Sequence, residues 1–224
     1  MGRIREGKGS ILSAFGRIDR LGTILFILCR EAFILSPMDS LIRYISQRIS
    51  VSQELELAIR KAFVEEKHES EHLILQEGHY AQKLYFIEKG IIRAFYHGDG
   101  KEVSNWFYAE GYLCTSWYSF LREEKSVENL QCIEDCHLYA ITLHRYQALF
   151  RDFPEMEKFG RLIAEEQLSF IDYMSRGYLF LSAKEKYDLL LSFFPDIELR
   201  VKLGQIASYL GISQETLSRI RLKR

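Results

Sequence analysis

The sequence predicts an α+β protein. We expect an antiparallel β-roll (jelly roll) with flanking helices, then a long helix, then a C-terminal helix-turn-helix domain. Three patterns predict this fold: helical spacing of apolar residues before and after the centre, short glycine-punctuated strands in between, and a 20-residue motif near the C-terminus. The chain has 224 residues, of which 47% are hydrophobic and 27% charged, enough to build one or two packed domains.

Residues 1–37 are set apart as an N-terminal extension. A basic stretch is followed by a short apolar run that superficially resembles a secretory signal. Arg30 and Glu31 interrupt the run well short of the ~20 residues that a membrane-spanning helix needs. We therefore expect a cytoplasmic protein with no membrane anchor. We interpret the extension as a mis-assigned start, which leaves Met1 and Met38 as alternative first residues.

Residues 38–153 are predicted to form the β-roll effector domain with its N-terminal helices. Apolar residues at helical spacing up to Glu66 predict two helices, with Ser50 or Ser52 as an N-cap between them. The predicted strands are 71–76, 83–88, 91–96, 102–108, 128–133 and 137–142. Turn signals recur at the spacing of about 8–12 residues that is typical of an antiparallel roll.

Residues 154–179 are predicted to form a dimerisation helix. Pro154 ends a short helix, and a long one follows to about Arg176. Two series at intervals of seven residues predict seams that could pair the chain with a second copy. The first consists of Met156, Ile163 and Phe170, and the second of Phe159 and Tyr173, with Glu166 breaking it. The alternative is a helix that packs on its own β domain.

Residues 180–224 are predicted to form a helix-turn-helix domain. Ser182 and Glu185 have the spacing of a capping box that opens a helix. Further on, Ala207 permits close approach of two helices and Gly211 tolerates a turn with positive φ. The predicted inner face consists of Ile206, Leu210, Ile212, Leu217 and Ile220. The alternative is an ordinary helical hairpin with a solvated face.

The side chains of the second helix fit double-stranded DNA as a partner. Residues 200–224 carry six Lys and Arg side chains against Glu215 alone, whereas residues 38–199 have a net charge of −9. Side chains suited to reading base edges are Gln214, Glu215, Ser218 and Arg219. Side chains placed for phosphates are Lys202, Ser213, Thr216, Arg221 and Lys223.

From about residue 52 to residue 222 the chain resembles the Crp/Fnr family of bacterial transcription regulators. The segment from Gly78 to Gly90 looks like the family's β-roll signature. The run from Gln214 to Arg219 is similar to the recognition-helix motif of the cyclic-AMP-responsive members, with Gln214 where they commonly carry Arg. The resemblance implies a homodimer that reads a palindromic site, a cyclic-nucleotide-binding-like roll, and RNA polymerase as a further partner.

The nucleotide cassette implied by the resemblance is degenerate. Its effector-pocket positions are Gly111, Ser116, Trp117, Ser126 and Val127. Ser116 stands at the position of the family's ribose-binding Glu and Ser126 at that of its phosphate-binding Arg, with Glu128 nearby. A cyclic phosphate would lack its charge-assisted partner, so we expect no cyclic AMP binding and no cofactor, unless Arg122 or Lys125 substitutes.

The effector of the roll, if it has one, is left open. Five aromatic residues could line an apolar pocket for a different small molecule, although core packing is the favoured interpretation. They are Tyr85, Trp106, Tyr112, Trp117 and Tyr118.

We predict no catalytic residues and no metal site. Cys132, Cys136 and His137 could be read as ligands, but a closed zinc site needs four, so buried free thiols are favoured for the cysteines. The six histidines lack the arrangement of a cupin metal site. The remaining alternative is a cyclic-nucleotide- or small-molecule-binding module that acts through protein contacts instead of DNA.

Overall fold

The computed structural model describes residues 38–222, so the predicted extension 1–37 and the predicted phosphate contact Lys223 lie outside it. The helices are α1 Asp39–Ser46, α2 Gln53–Ala62, α3 Trp117–Arg122, α4 Leu143–Asp152, α5 Pro154–Gly177, α6 Ala183–Phe193, α7 Ile197–Arg200, α8 Leu203–Leu210 and α9 Gln214–Leu222. The strands are β1 Val64–His68, β2 Leu73–Leu75, β3 Lys83–Lys89, β4 Ile92–Gly98, β5 Lys101–Tyr108, β6 Leu113–Cys114, β7 Asn129–Cys132 and β8 Cys136–Thr142. No helix within residues 38–222 combines the length and apolar character needed to cross a membrane.

The two N-terminal helices form as predicted. Ser52 is the N-cap of α2, because its side chain accepts a hydrogen bond from the amide of Leu55 at 3.1 Å. Each helix buries one apolar stripe, which includes Leu41 of α1 and Ile59 of α2, and these stripes join the core of the roll.

The roll consists of two four-stranded antiparallel sheets, ordered β1-β8-β3-β6 and β2-β7-β4-β5. All six predicted strand segments contain a strand, although the segment 71–76 keeps only Leu73–Leu75. The strand β1 lies outside those segments because its Val-Glu-Glu-Lys-His sequence lacks an apolar face. The short strand β6 and the helix α3 were also not predicted.

The long helix α5 confirms the predicted extent but not the predicted seams. Met156, Phe159 and Ile163 are buried in the core of the roll, and the ring of Phe170 contacts that of Trp106 at 5.1 Å. Four of the five predicted seam residues therefore pack within the protomer, which is the alternative stated from the sequence. The reason is geometric. Apolar residues spaced by seven indicate a buried helix face, but the spacing is the same whether that face packs on the roll or on a second copy of the helix.

The helices after α5 share a second hydrophobic core with the roll. Four side chains of the roll belong to it: Ile91, Phe107, Ala109 and Ile133. The helices α6 to α9 contribute the rest, including Tyr187, Phe194, Ile206 and Leu217. We call residues 183–222 the C-terminal unit and this shared cluster the docking core. Because the docking core is continuous, the position of the C-terminal unit depends on the roll.

Candidate nucleic-acid interface

The turn between α8 and α9 has the geometry that its glycine predicts. Gly211 has φ 68° and ψ 32°, in the left-handed region that favours glycine. The amides of Gly211 and Ile212 donate to the carbonyls of Ser208 and Ala207 at 3.1 and 3.0 Å, which satisfies the end of α8. The chain therefore turns sharply and enters α9 at once.

The helix α9 is capped and packed as predicted. The side chain of Ser213 accepts a hydrogen bond from the amide of Thr216 at 3.2 Å. Leu217 is fully buried, as are Ile206 and Leu210 of α8, while Ile212 and Ile220 pack against the same cluster. The inner face of the motif is thus formed by the predicted residues, and the opposite face of α9 is left to solvent.

Three of the four predicted base-reading side chains are exposed: Gln214, Glu215 and Arg219. Ser218 is half-buried. A guanidinium nitrogen of Arg219 donates to Thr216 Oγ1 at 3.2 Å. Hydrogen bonds from the backbone amide and from Ser213 lower the pKa of Glu215. The exposed face of α9 therefore presents a cation and an anion one helical turn apart.

Gln214 makes a close contact that sequence reasoning missed. Its amide nitrogen lies against Gly204 of α8, where an added Cβ atom would come within 2.5 Å. The side chain lies back over α8, although the residue stays exposed. The glycine at 204, in the first turn of α8, was the signal that could have revealed this contact.

Two predicted phosphate-binding cations are engaged by carboxylates. The ammonium of Lys202 lies 2.8 Å from Glu71 Oε1, on the roll. Arg221 Nε lies 2.7 Å from Glu198 Oε1, within the C-terminal unit. Of the other two described phosphate candidates, Ser213 is exposed and Thr216 half-buried.

Arg200 joins the C-terminal unit to the roll, and the sequence analysis missed it. Its guanidinium donates two hydrogen bonds to Glu110, at 2.6 and 3.0 Å, and two to Glu134, of which the one from Nε is 3.1 Å long. Asp196 of its own unit lies 3.2 Å away. Although burial opposes the positive charge, the hydrogen bonds that Arg200 donates to Glu110 and Glu134 raise its pKa. Burial by itself would raise the pKa of Glu110. The hydrogen bonds from Arg200 and from the Gly90 amide outweigh it and hold the pKa of Glu110 below its usual range.

The edge strand β5 is hydrogen-bonded to α8 through one hydroxyl. A β-bulge places Asn105 as an extra residue opposite β4. Ser208 of α8 accepts a hydrogen bond from the amide of Ser104 and donates one to the carbonyl of Glu102, both at 3.0 Å. The bulge residue itself reaches the cassette, since the Asn105 amide nitrogen lies 3.3 Å from Glu128 Oε2.

The degenerate cassette closes on itself through hydrogen bonds. Ser126 Oγ lies 2.8 Å from the carbonyl of Glu128 and 3.1 Å from Ser116 Oγ, and both serines are buried. Gly111 adopts φ 82°, Trp117 is half-buried and Val127 is 69% exposed. The cassette positions therefore offer buried hydroxyls that already bond to one another.

A cavity of about 180 Å³ that opens to solvent lies beside the cassette, between the two sheets. Its lining residues are Ile74, Leu75, Tyr80, Ala81, Gln82, Lys83, Tyr85, Thr115 and Leu130. The five predicted effector-pocket residues are not among them. Of the predicted aromatic set only Tyr85 lines it, while Trp106 packs against Phe193 and Phe194 and Tyr118 is exposed.

The described cysteines are buried free thiols. Cys114, Cys132 and Cys136 all lie in the core of the roll, and burial raises the pKa of Cys114. Among residues 38–222, no group of three or more His, Cys, Asp or Glu side chains is placed to hold a metal ion.

Comparisons with known proteins support the predicted fold. Residues 65–153 match the family described as the cyclic nucleotide-binding domain. The chain is similar to the catabolite activator protein of Thermus thermophilus, at 23% identity over 80% of this chain and 85% of the other, with a TM-score of 0.50. No curated protein matches the chain by sequence.

Two further solved structures show the same likeness. The c-di-GMP-responsive global regulator CLP of Xanthomonas campestris is 18% identical over 77% of this chain and 91% of the other, with a TM-score of 0.56. A regulator of the crp/fnr family from Eubacterium rectale is 15% identical over 76% and 82%, with a TM-score of 0.59. The predicted fold is thereby confirmed, and the resemblance to Crp/Fnr regulators extends to the fold.

Proposed function

We propose that this chain is a sequence-specific DNA-binding transcription regulator of the Crp/Fnr type. It acts in the cytoplasm as a homodimer on a palindromic site, with RNA polymerase as a further partner. The observation that carries the proposal is the exposed face of α9, which presents Glu215 and Arg219 from a helix anchored by a buried inner face and a left-handed turn. Such a helix presents its first turns to base edges in the major groove.

The homodimer uses the exposed face of α5 instead of the predicted seams. Leu168 and Ile171 lie three residues apart on one side of the helix and are 68% and 60% exposed. Leu179 and Phe180, just beyond the end of α5, are also exposed. A second copy of α5 would remove this apolar surface from water, at about 25 cal/mol per Å² buried.

The proposed regulator does not respond to cyclic AMP. The cassette has a serine, Ser126, at the position of the phosphate-binding Arg, and its hydroxyl is engaged by Ser116 and Glu128. A bound phosphate would meet the Glu128 carboxylate without a fixed cation. Calorimetry tests this part, and micromolar affinity for cyclic AMP or cyclic GMP would contradict it.

Selection of bound DNA from a random duplex pool tests the proposed function. A palindrome is expected, because two recognition helices in a symmetric dimer read two half-sites. Arg219→Ala should then weaken binding by ~1–3 kcal/mol and relax specificity at one base pair.

The matched control is Arg151→Ala, which removes the same charge from α4, where Arg151 pairs with Asp152. It should leave the sequence preference unchanged. If no duplex binds in a salt-sensitive way at low ionic strength, the DNA-binding proposal fails. The chain is then better described as a small-molecule-binding module that acts through protein contacts.

A further inference from the structure

Glu71 of the roll is held in an unusual and well-fixed position. Its backbone has φ 68°, a conformation that residues with a side chain rarely adopt. Its amide donates to the carbonyl of Cys132 at 2.8 Å, and the neighbouring Ser70 is fixed by Asp135 and Ile133. These hydrogen bonds fasten the loop between β1 and β2 to the β7–β8 turn. Glu71 is thus held in a strained conformation by its surroundings, which makes it a candidate for a function.

Both oxygens of the Glu71 carboxylate have partners on different parts of the molecule. Gln131 on β7 donates to Oε2 at 2.9 Å. Lys202, immediately before α8, lies 2.8 Å from Oε1. Gln131 therefore orients the carboxylate, and the other oxygen is directed at the C-terminal unit.

Lys202 occupies a position where a phosphate would otherwise be its partner. It is the N-cap residue of α8, the first helix of the helix-turn-helix, and that helix crosses the DNA backbone in complexes of this motif. Its side chain is 71% exposed, so both phosphate and carboxylate can reach it. A DNA phosphate and Glu71 would compete for one ammonium group.

We propose that Glu71 competes with DNA phosphate for Lys202, so that the roll restrains DNA binding by the C-terminal unit. This inference rests on the proposed function. Because the contact crosses from the roll to the C-terminal unit, any movement of the β1–β2 loop changes the number of cations available to DNA. The contact is an exposed ion pair, so the restraint is a modest one that tunes affinity.

Fluorescence anisotropy with a selected duplex, or a random 30-bp duplex at low salt if selection fails, tests this inference on the full chain. Glu71→Gln keeps an acceptor for Gln131 and removes the charge that holds Lys202. We expect affinity to rise about two- to fivefold at ~50 mM salt. The slope of log affinity against log salt should steepen by about 0.9, because Lys202 then displaces one more counterion.

Two variants separate the specific contact from a general change of charge. Glu69→Gln removes the same charge from the same exposed loop without removing the Lys202 contact, and it should leave the salt slope unchanged. In a Lys202→Gln background, Glu71→Gln should no longer raise affinity.

Equal slopes for the Glu69 and Glu71 variants, or a gain that persists without Lys202, would overturn the inference. Failure of every protein, including the unmodified chain, to bind any duplex would contradict the proposed function itself.

Discussion

Replacing Arg200 by Met should loosen the C-terminal unit from the roll. Met keeps an apolar stem but removes the charge that holds Glu110 and Glu134. Breaking a buried ion pair costs about 3–5 kcal/mol, whereas an exposed one contributes about 0–1 kcal/mol. The Arg200 side chain is 18% exposed and its two acceptors about a third, so the contact lies between these limits. We expect Arg200→Met to lower the free energy of unfolding by about 2 kcal/mol.

Urea unfolding followed by circular dichroism measures this loss, and thermal unfolding gives a second reading. For a chain of this size, about 2 kcal/mol corresponds to a fall in Tm of roughly 4–8 °C. Arg151→Met is the control, because its ion pair with Asp152 is exposed at both ends and should contribute far less to stability. If the two variants unfold at the same urea concentration, Arg200 does not fasten the two parts and our reasoning is refuted.

Three further outcomes follow from the structure. Gly211→Ala should destabilise the chain by about 1 kcal/mol because of its positive φ, whereas Gly177→Ala, with a helical φ and open space around it, should not; urea midpoints compare them. Ile171→Glu should shift the chain towards monomer in sedimentation while leaving its circular dichroism spectrum intact, and an unchanged dimer would exclude this face of α5 as the interface. Since folding lowers the pKa of Glu110, its contribution to stability is present above the unfolded value of about 4.3 and is lost as pH falls through the lower folded value. In Glu110→Gln, the free energy of unfolding should therefore depend less steeply on pH below about pH 4.5. A dependence as steep as in the unmodified chain would show that Arg200 gains little from this carboxylate.

Much of the fold was predictable from the sequence because helix caps and turns depend on residues close together in the chain. Ser182 and Glu185 form both hydrogen bonds of the predicted capping box. Gly211 takes the left-handed conformation and Ser213 caps α9, as expected. Each of these depends on residues within four positions of one another, so the sequence contains all the groups that take part.

The contacts that the sequence could not predict join distant residues. Arg200 meets Glu134 and Glu110 across 66 and 90 positions of the chain, and Lys202 meets Glu71 across 131. A charged residue on a helix is compatible with solvent, DNA phosphate or a carboxylate, and only the fold decides between them. For the same reason the pattern that begins at Met156 indicated a buried helix face but not the surface that covers it.

The hydroxyl of Ser208 covers an edge of the roll as well as holding α8 against it. The strand β5 lies at the margin of its sheet, and Ser208 occupies an N–H and a C=O group that would otherwise be free to pair with another chain. The C-terminal helices also cover Phe107 and Ile91, which are fully buried. A roll produced without these helices would have both an unpaired strand edge and an exposed apolar surface, two features that promote aggregation. The helices that we propose to bind DNA thus also cover surfaces of the roll that would promote aggregation. Fragments for crystallography or ligand screening should retain them.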